Sequence, residues 1–164
     1  MTSLDAAHES LVLAYREVAH LEENPTETAA ALKIGLDSIS KRTETLLVLE
    51  LLPYWYSVPL IPELVDCAET LRDASRARGL LGAIPSRLAK QVIVGEVDRR
   101  LDASNADDWV YGRMAELLED LGYYAELSDL VRRAEGSDNP YIREVGDDYR
   151  PKCGPDRARP TANS

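Results

Sequence analysis

The chain of 164 residues contains no phenylalanine, two histidines and two cysteines. Cys67 and Cys153 show neither a metal-ligand nor a redox spacing, so a reduced, cytoplasmic protein is the simplest interpretation. No apolar run is long enough to span a bilayer, and the N-terminus lacks the basic and apolar regions of a secretory signal. These absences argue against a disulfide-stapled, membrane-spanning or secreted protein.

The residues of common catalytic sites are also scarce. No glycine-rich phosphate loop follows a strand pattern, and Cys67 lies in an apolar pattern with no histidine nearby to activate it. We therefore expect no enzymatic activity, no cofactor and no metal site. One alternative stays open, a metal-dependent helical enzyme that uses residues of the first helix: His8, Glu9, Glu17 and His20. Di-iron helical proteins, however, place Glu-x-x-His pairs on two different helices.

The sequence has an excess of acidic side chains, with a net charge of −10. Residues 1–70 carry 4 basic and 12 acidic side chains, residues 71–149 carry 11 and 16, and the last fifteen carry 4 and 1. An acidic body repels membranes and nucleic acid and attracts basic proteins. We therefore expect a basic protein partner and no membrane association. Nucleic-acid binding through the weakly basic stretch 72–100 is a second alternative, and solubility alone could explain the acidity.

Nearly every segment has the periodicity of an amphipathic helix. The first apolar stripe comprises Leu4, Ala7, Leu11, Ala14, Val18 and Leu21. The segment ENPTE ends that helix, and Asn24 and Pro25 begin a second helix that continues to Ile39. QVIVGEV, residues 91–97, comes closest to a strand pattern but lies within a helical pattern. The sequence thus predicts one all-α domain over residues 1–149, beginning with a helical pair. We expect the basic, proline-rich tail 150–164 to be disordered or a short extension.

From residue 37 the pattern repeats. Four segments place an aspartate five residues before an arginine near a predicted helix start: Asp37–Arg42, Asp73–Arg78, Asp108–Arg113 and Asp138–Arg143. In three units an apolar helix follows, then a break at Pro53, Pro85 or Gly122, then a second amphipathic helix. The aspartate can cap its helix, and the arginine can reach a carboxylate of the neighbouring unit. We therefore expect a ladder of ion pairs between units.

These units resemble HEAT-type or armadillo-like helical hairpin repeats over about residues 37–149. The resemblance implies an α-solenoid of stacked antiparallel hairpins, in which the second helices line a concave binding face. The repeat lengths are irregular, and the first helix of the second unit is short. A compact helical bundle without repeats is the alternative.

Two groups of residues form the predicted protein-binding surface. The stretch LLPYWYSVPLIP lies at the bend of the first unit, and two tyrosines lie at the bend of the third. Three large rings cannot all be solvated, so we expect some to cover the core and the others to be exposed anchors. The other group consists of outward carboxylates on the second helices. They lie opposite the predicted inward positions, which include Leu88, Val92 and Val97 in the second unit and Leu127, Leu130 and Val131 in the third. The predicted binding residues are Tyr54, Trp55, Tyr56, Glu63, Asp66, Asp98, Tyr123, Tyr124, Glu126 and Asp129.

The sequence as a whole predicts a non-catalytic protein-interaction module. A sharper hypothesis is a small acidic inhibitor, such as an immunity protein that neutralises a basic toxin. A homo-oligomer is a further alternative, because a truncated series of repeats exposes an apolar end.

Overall fold

All regular structure in residues 25–153, the part of the chain that the computed structural model describes, is helical. In this part there are eight α-helices: α1 (Pro25–Asp37), α2 (Arg42–Leu51), α3 (Ile61–Ala68), α4 (Ala74–Ala83), α5 (Ser86–Leu101), α6 (Asp108–Asp120), α7 (Tyr124–Glu135) and α8 (Pro140–Tyr149). Two 3-10 turns, Tyr54–Tyr56 and Val58–Leu60, connect α2 to α3, and a third, Arg150–Cys153, follows α8. The predicted all-α class is confirmed for these residues, and QVIVGEV lies in α5.

The predicted breakers mark the ends of three helices. α2, α4 and α6 each end two residues before their breaker, which is Pro53, Pro85 and Gly122 respectively. Proline cannot continue a helix, because it lacks the N–H group and its ring clashes with the preceding turn. Gly122 instead adopts a left-handed conformation with φ of 69°, which a glycine accepts without strain.

Side chains cap two of the helices as predicted, but in each case the capping residue is adjacent to the predicted one. The side chain of Asp107 accepts a hydrogen bond of 3.0 Å from the N–H three residues on, at the start of α6. Asn139 accepts one of 3.0 Å from the N–H two residues on, at the start of α8. The predicted caps Asp108 and Asp138 are each one residue away from these positions. Asp73 precedes α4 but makes no side-chain cap, and instead accepts a hydrogen bond from Thr43 of α2.

The helices contact one another in two rows. In the first row α1 packs against α3, and α3 packs against α5. In the second row α2, α4, α6 and α8 each pack against the next. Five consecutive pairs also pack against each other, namely α1–α2, α3–α4, α5–α6, α6–α7 and α7–α8, with α3 on α4 and α7 on α8 the most extensive. The predicted hairpins α2–α3 and α4–α5 pack less extensively than these, so the closest helix pairs span the polar connections rather than the predicted breaks.

A glycine helps to explain the close packing of α1 against α2. Gly35 of α1 faces α2, and a Cβ atom added there would overlap Thr45 Oγ1. The missing side chain therefore allows α1 and α2 to approach closely across their polar connection. One continuous set of buried apolar side chains runs from Leu32 in α1 to Ile142 in α8. Cys67 belongs to it, and burial raises the pKa of Cys67 to about 11, so the thiol is protonated at neutral pH.

Ion pairs connect helices that are two apart along the chain. The pairs are Lys33–Glu63 (α1–α3), Arg100–Asp66 (α3–α5), Lys90–Glu126 (α5–α7), Arg76–Glu50 (α2–α4) and Arg78–Glu116 (α4–α6). Among the described residues, Arg78 is the one predicted arginine that makes such a pair. Arg113 pairs within its own helix, and Arg42 and Arg143 donate to backbone carbonyls. The ladder predicted from the four arginines is therefore wrong except at Arg78, and other residues form the ion pairs between helices.

Two segments lie outside the described residues, 1–24 and 154–164. The predicted first helix, with both histidines, and most of the predicted tail fall in these segments. α8 ends at Tyr149, the predicted domain boundary, and the 3-10 turn Arg150–Cys153 packs against α7 and α8. Within residues 25–153, no helix is both long enough and apolar enough to cross a bilayer.

Candidate protein-binding surface

A cleft with a volume of about 90 Å³ lies between α5 and α7. Its walls are formed by Val94, Val97, Asp98, Leu101, Leu118, Glu126, Asp129, Leu130 and Arg133. Three of the predicted binding residues, Asp98, Glu126 and Asp129, therefore line one cavity. We call this cavity the acidic cleft.

The helical period explains why these carboxylates converge. Asp98 lies one turn from both Val94 and Leu101 on the flank of α5 that faces α7. Glu126 and Asp129 are three residues apart and therefore neighbours on α7. Apolar residues of α5, α6 and α7 line the same cleft, so its charges lie beside apolar side chains.

The three carboxylates are neutralised to different degrees. Glu126 pairs with Lys90 at 2.8 Å, and its second oxygen, Oε2, is buried without a hydrogen-bond partner among the described residues. Asp129 pairs with Arg132 of the same helix, but both side chains are more than half exposed, so water screens the pair. Asp98 is exposed, and within residues 25–153 it forms no ion pair. The cleft therefore keeps uncompensated negative charge.

Arg133 closes one end of the acidic cleft. It donates hydrogen bonds of 2.5 Å to the carbonyl of Leu101 and 2.6 Å to the carboxylate of Asp102, at the C-terminus of α5. It also donates to the hydroxyl of Tyr111 at 3.0 Å. Although burial opposes the charge, the hydrogen bonds to Asp102 and Tyr111 raise the pKa of Arg133. These contacts hold the guanidinium at the C-terminal end of α5, so it does not neutralise Asp98.

The other end of the cleft opens into a wider depression of about 430 Å³. Its walls are Ser86, Arg87, Lys90, Gln91, Val94 and Glu126, so Val94 and Glu126 belong to both cavities. The combined surface is basic near the start of α5 and acidic near its end. An elongated ligand with the opposite order of charges would match it.

The first predicted unit contributes less to this surface than expected. Asp66 is exposed, but it is paired with the buried Arg100. Glu63 was predicted to point outward, and this is wrong, because it is 7% exposed and paired with Lys33. The short helix α3 packs against α1, α4 and α5, so few of its positions can reach solvent.

The aromatic bend, Pro53–Ser57, is divided between core and surface as predicted, but the binding role predicted for Tyr56 is wrong. Tyr56 is 4% exposed and belongs to the core, so it cannot contact a partner directly. Tyr54 and Trp55 are 38% and 58% exposed and contact each other edge to face, with ring centroids 5.6 Å apart. The bend therefore both covers the core and presents two rings at the surface.

The predicted second aromatic bend is not a surface feature. Tyr123 is 7% exposed, and Tyr124 is half-buried. The N–H of Tyr123 donates to the carbonyl of Leu118 at 2.9 Å, the long hydrogen bond of a Schellman motif. In that motif the residue after the glycine packs back on the last helical turn, and Lys90 covers the ring of Tyr123 from outside. The exposed role predicted for Tyr123 is therefore wrong.

The side of α5 that faces the core also differs from the predicted one. Leu88 and Val92 were expected to face the core, but they are 45% and 44% exposed. Val97 is buried as predicted, but Ala89 and Ile93 are buried in place of Leu88 and Val92. α5 has apolar residues on more than one flank, so the periodicity alone did not select the buried one.

Trp109 is an exposed aromatic residue that the sequence analysis did not select. It is 44% exposed, its indole N–H donates to the carbonyl of Glu69 at 3.2 Å, and the guanidinium of Arg113 lies 4.2 Å from its ring centroid. Both contacts hold the ring in one orientation, as expected for a binding anchor. The signal in the sequence is a tryptophan in the first turn of a helix, directly after two aspartates.

No group of three or more histidine, cysteine, aspartate or glutamate side chains within residues 25–153 could hold a metal ion. The alternative metal residues His8, Glu9, Glu17 and His20 lie outside this range. Comparison of the chain with protein-family models, curated proteins and solved structures finds no match. The interpretation of the surface therefore rests on its own geometry.

Proposed function

We propose that this protein is a non-catalytic binding module whose acidic cleft receives a basic side chain of a protein partner. The observation that carries the proposal is that Asp98, Glu126 and Asp129 line one cavity and that Asp98 forms no ion pair within the described residues. The long side chains of lysine and arginine suit such a site. Their aliphatic stems can cover Val94 and Leu130 while the cationic end reaches the carboxylates.

The charge of the rest of the chain supports a basic partner. Residues 25–153 carry 16 basic and 23 acidic side chains, a net charge of −7. Many of the cations are already paired with carboxylates of neighbouring helices. Few cations are left to contact phosphates, which favours a basic protein over nucleic acid. Such a field also increases the rate of encounter with a basic protein.

We further propose that the two helix rows are an open, HEAT-like stack rather than a closed bundle. The contacts that support it are those of α1 with α3, α3 with α5, α2 with α4, α4 with α6 and α6 with α8. In such a stack the surface between neighbouring helices is preformed, so binding costs little ordering of the protein. The exposed pair Tyr54 and Trp55 would add an apolar anchor beside the charged contacts.

Within this class, the role that fits best is a small inhibitor or adaptor of a basic protein. An acidic body with a preformed cleft suits both roles. An immunity protein that neutralises a toxin is one example of such an inhibitor. A gene for a basic toxin beside this one would favour the inhibitor. A neighbouring gene for a basic protein without toxic activity would favour the adaptor.

Equilibrium binding of a fluorescent lysine- and arginine-rich peptide tests the cleft. The double variant Asp98→Asn/Asp129→Asn should weaken binding by about tenfold at low salt. The matched control, Asp138→Asn/Asp148→Asn, removes the same charge from exposed positions outside the cleft and should bind nearly as well as the wild type. Equal weakening in both double variants would show that the peptide senses only net charge, and the proposal would then be wrong.

A further inference from the structure

A second groove lies between α1 and α2. It has a volume of about 470 Å³ and is lined by Thr28, Ala31, Leu32, Ser40, Lys41, Glu44, Thr45 and Val48. Three lining positions on α2, residues 44, 45 and 48, and Lys41 directly before this helix have the spacing of one helix face. α1 packs against α3 on one side, and among the described residues no helix precedes it in the first row. Within the described residues, the groove therefore lies beside the terminal helix of the first row.

We propose that residues 1–24 of the same chain occupy this groove as an amphipathic helix. The apolar residues of this segment have the helical spacing of a single stripe: Leu4, Ala7, Leu11, Ala14, Val18 and Leu21. A stripe of this kind needs an apolar surface to cover it. The groove offers Ala31, Leu32 and Val48 for that contact.

The connection between segment and groove favours binding within one chain. The stripe ends at Leu21, and α1 begins at Pro25, so three residues separate them. Helices joined by so short a loop are normally antiparallel neighbours. Such a tether also sets an effective concentration in the millimolar range, above that of a second copy. Eighteen helical residues measure about 27 Å and α1 about 20 Å, so the segment can run along the whole groove.

The groove has one cation, Lys41, available to this occupant, although its lining also contains one carboxylate, Glu44. Residues 1–24 carry one basic and five acidic side chains. Lys41 at the edge of the groove is exposed and forms no ion pair with the described residues. An acidic segment in the groove would place carboxylates near this cation.

Two aspartate variants of the full chain test the inference. Leu11 lies on the stripe, whereas Leu13 lies on the other side of the same predicted helix, so Leu11→Asp and Leu13→Asp differ only in position. We expect Leu11→Asp to lower the urea midpoint and to increase deuterium uptake in residues 25–51. Leu13→Asp should leave both close to the wild-type values. Equal effects of the two variants would overturn the inference.

If Leu11→Asp prevents folding, two alanine variants provide a second test. Leu11→Ala and Val48→Ala should each lower the midpoint, and the double variant should lose less than the sum of the two, because the residues contact each other. Additive losses would contradict the contact. A midpoint and uptake that change with protein concentration would identify a second copy as the occupant and would also overturn the inference.

Discussion

Arg100 combines near-complete burial with several charged partners. Its side chain is 6% exposed, and it contacts the carboxylates of Asp66, Glu69 and Glu96 and the carbonyl of Pro62. Burial raises the pKa of Glu69, although Arg100 acts in the opposite direction. For Glu96 burial also acts to raise the pKa, but the hydrogen bonds from Arg99 and Arg100 prevail and lower it. Arg100 therefore holds together a cluster that would be unfavourable without its charge.

Replacing Arg100 by methionine should be destabilising, by about 1–3 kcal/mol, because it removes the hydrogen bonds of a buried guanidinium and leaves the partly buried Glu69 without its counter-ion. The control is Arg132→Met, which removes an arginine that is 74% exposed and paired with the equally exposed Asp129. We expect this control to unfold at the wild-type urea concentration, since exposed pairs contribute little. Equal stability of Arg100→Met and Arg132→Met would contradict the role of the cluster in joining α3 to α5.

Single residues could be predicted only where local rules decide them. The breaks at Pro53, Pro85 and Gly122 follow from backbone chemistry and were correct. The burial of Tyr123 follows from the same chemistry, because a Schellman glycine directs the next residue inward. The partners of Arg100 and Arg78 could not be predicted, because they depend on which helices become neighbours.

At the scale of elements, the close approach of α1 and α2 depends on Gly35. Gly35→Ala should destabilise the protein by about 1–3 kcal/mol, because the new methyl group overlaps Thr45. Gly79→Ala is the control, since Gly79 is exposed in the interior of α4 with no atom within 4 Å of the added carbon. That variant should be more stable than the wild type by about 0.5–1 kcal/mol. Destabilisation by both variants in urea unfolding would contradict close packing as the cause.

The existence and type of the elements from α1 to α8 could be predicted from periodicity, whereas their orientation could not always be. On α7 the predicted inward positions Leu127, Leu130 and Val131 are buried. On α5 the inward face was wrong by one residue, because apolar side chains lie on two flanks. On α3 the prediction for Glu63 was wrong because α1, α4 and α5 pack around this helix. The residue pattern of a single helix does not show how many neighbouring helices cover it.

At the scale of the molecule, the acidic cleft arises from helices that are distant in sequence. Asp98 and Asp129 are 31 residues apart, yet both line the space between α5 and α7. The resemblance to stacked helical hairpins led to their prediction, because it implies that second helices lie side by side. The exposed Trp109 was missed because it belongs to a first helix, which that resemblance does not place on the binding face.

The most direct test of the central claim is a nuclear magnetic resonance titration of the isotope-labelled full chain with the lysine- and arginine-rich peptide. Binding in the acidic cleft predicts saturable shift changes at the amides of Val94, Asp98, Asp129 and Leu130, which salt reduces. Asp138 and Asp148, at the ends of α8, should change little. Shift changes spread evenly over all acidic positions, or confined to residues outside α5 and α7, would contradict the account.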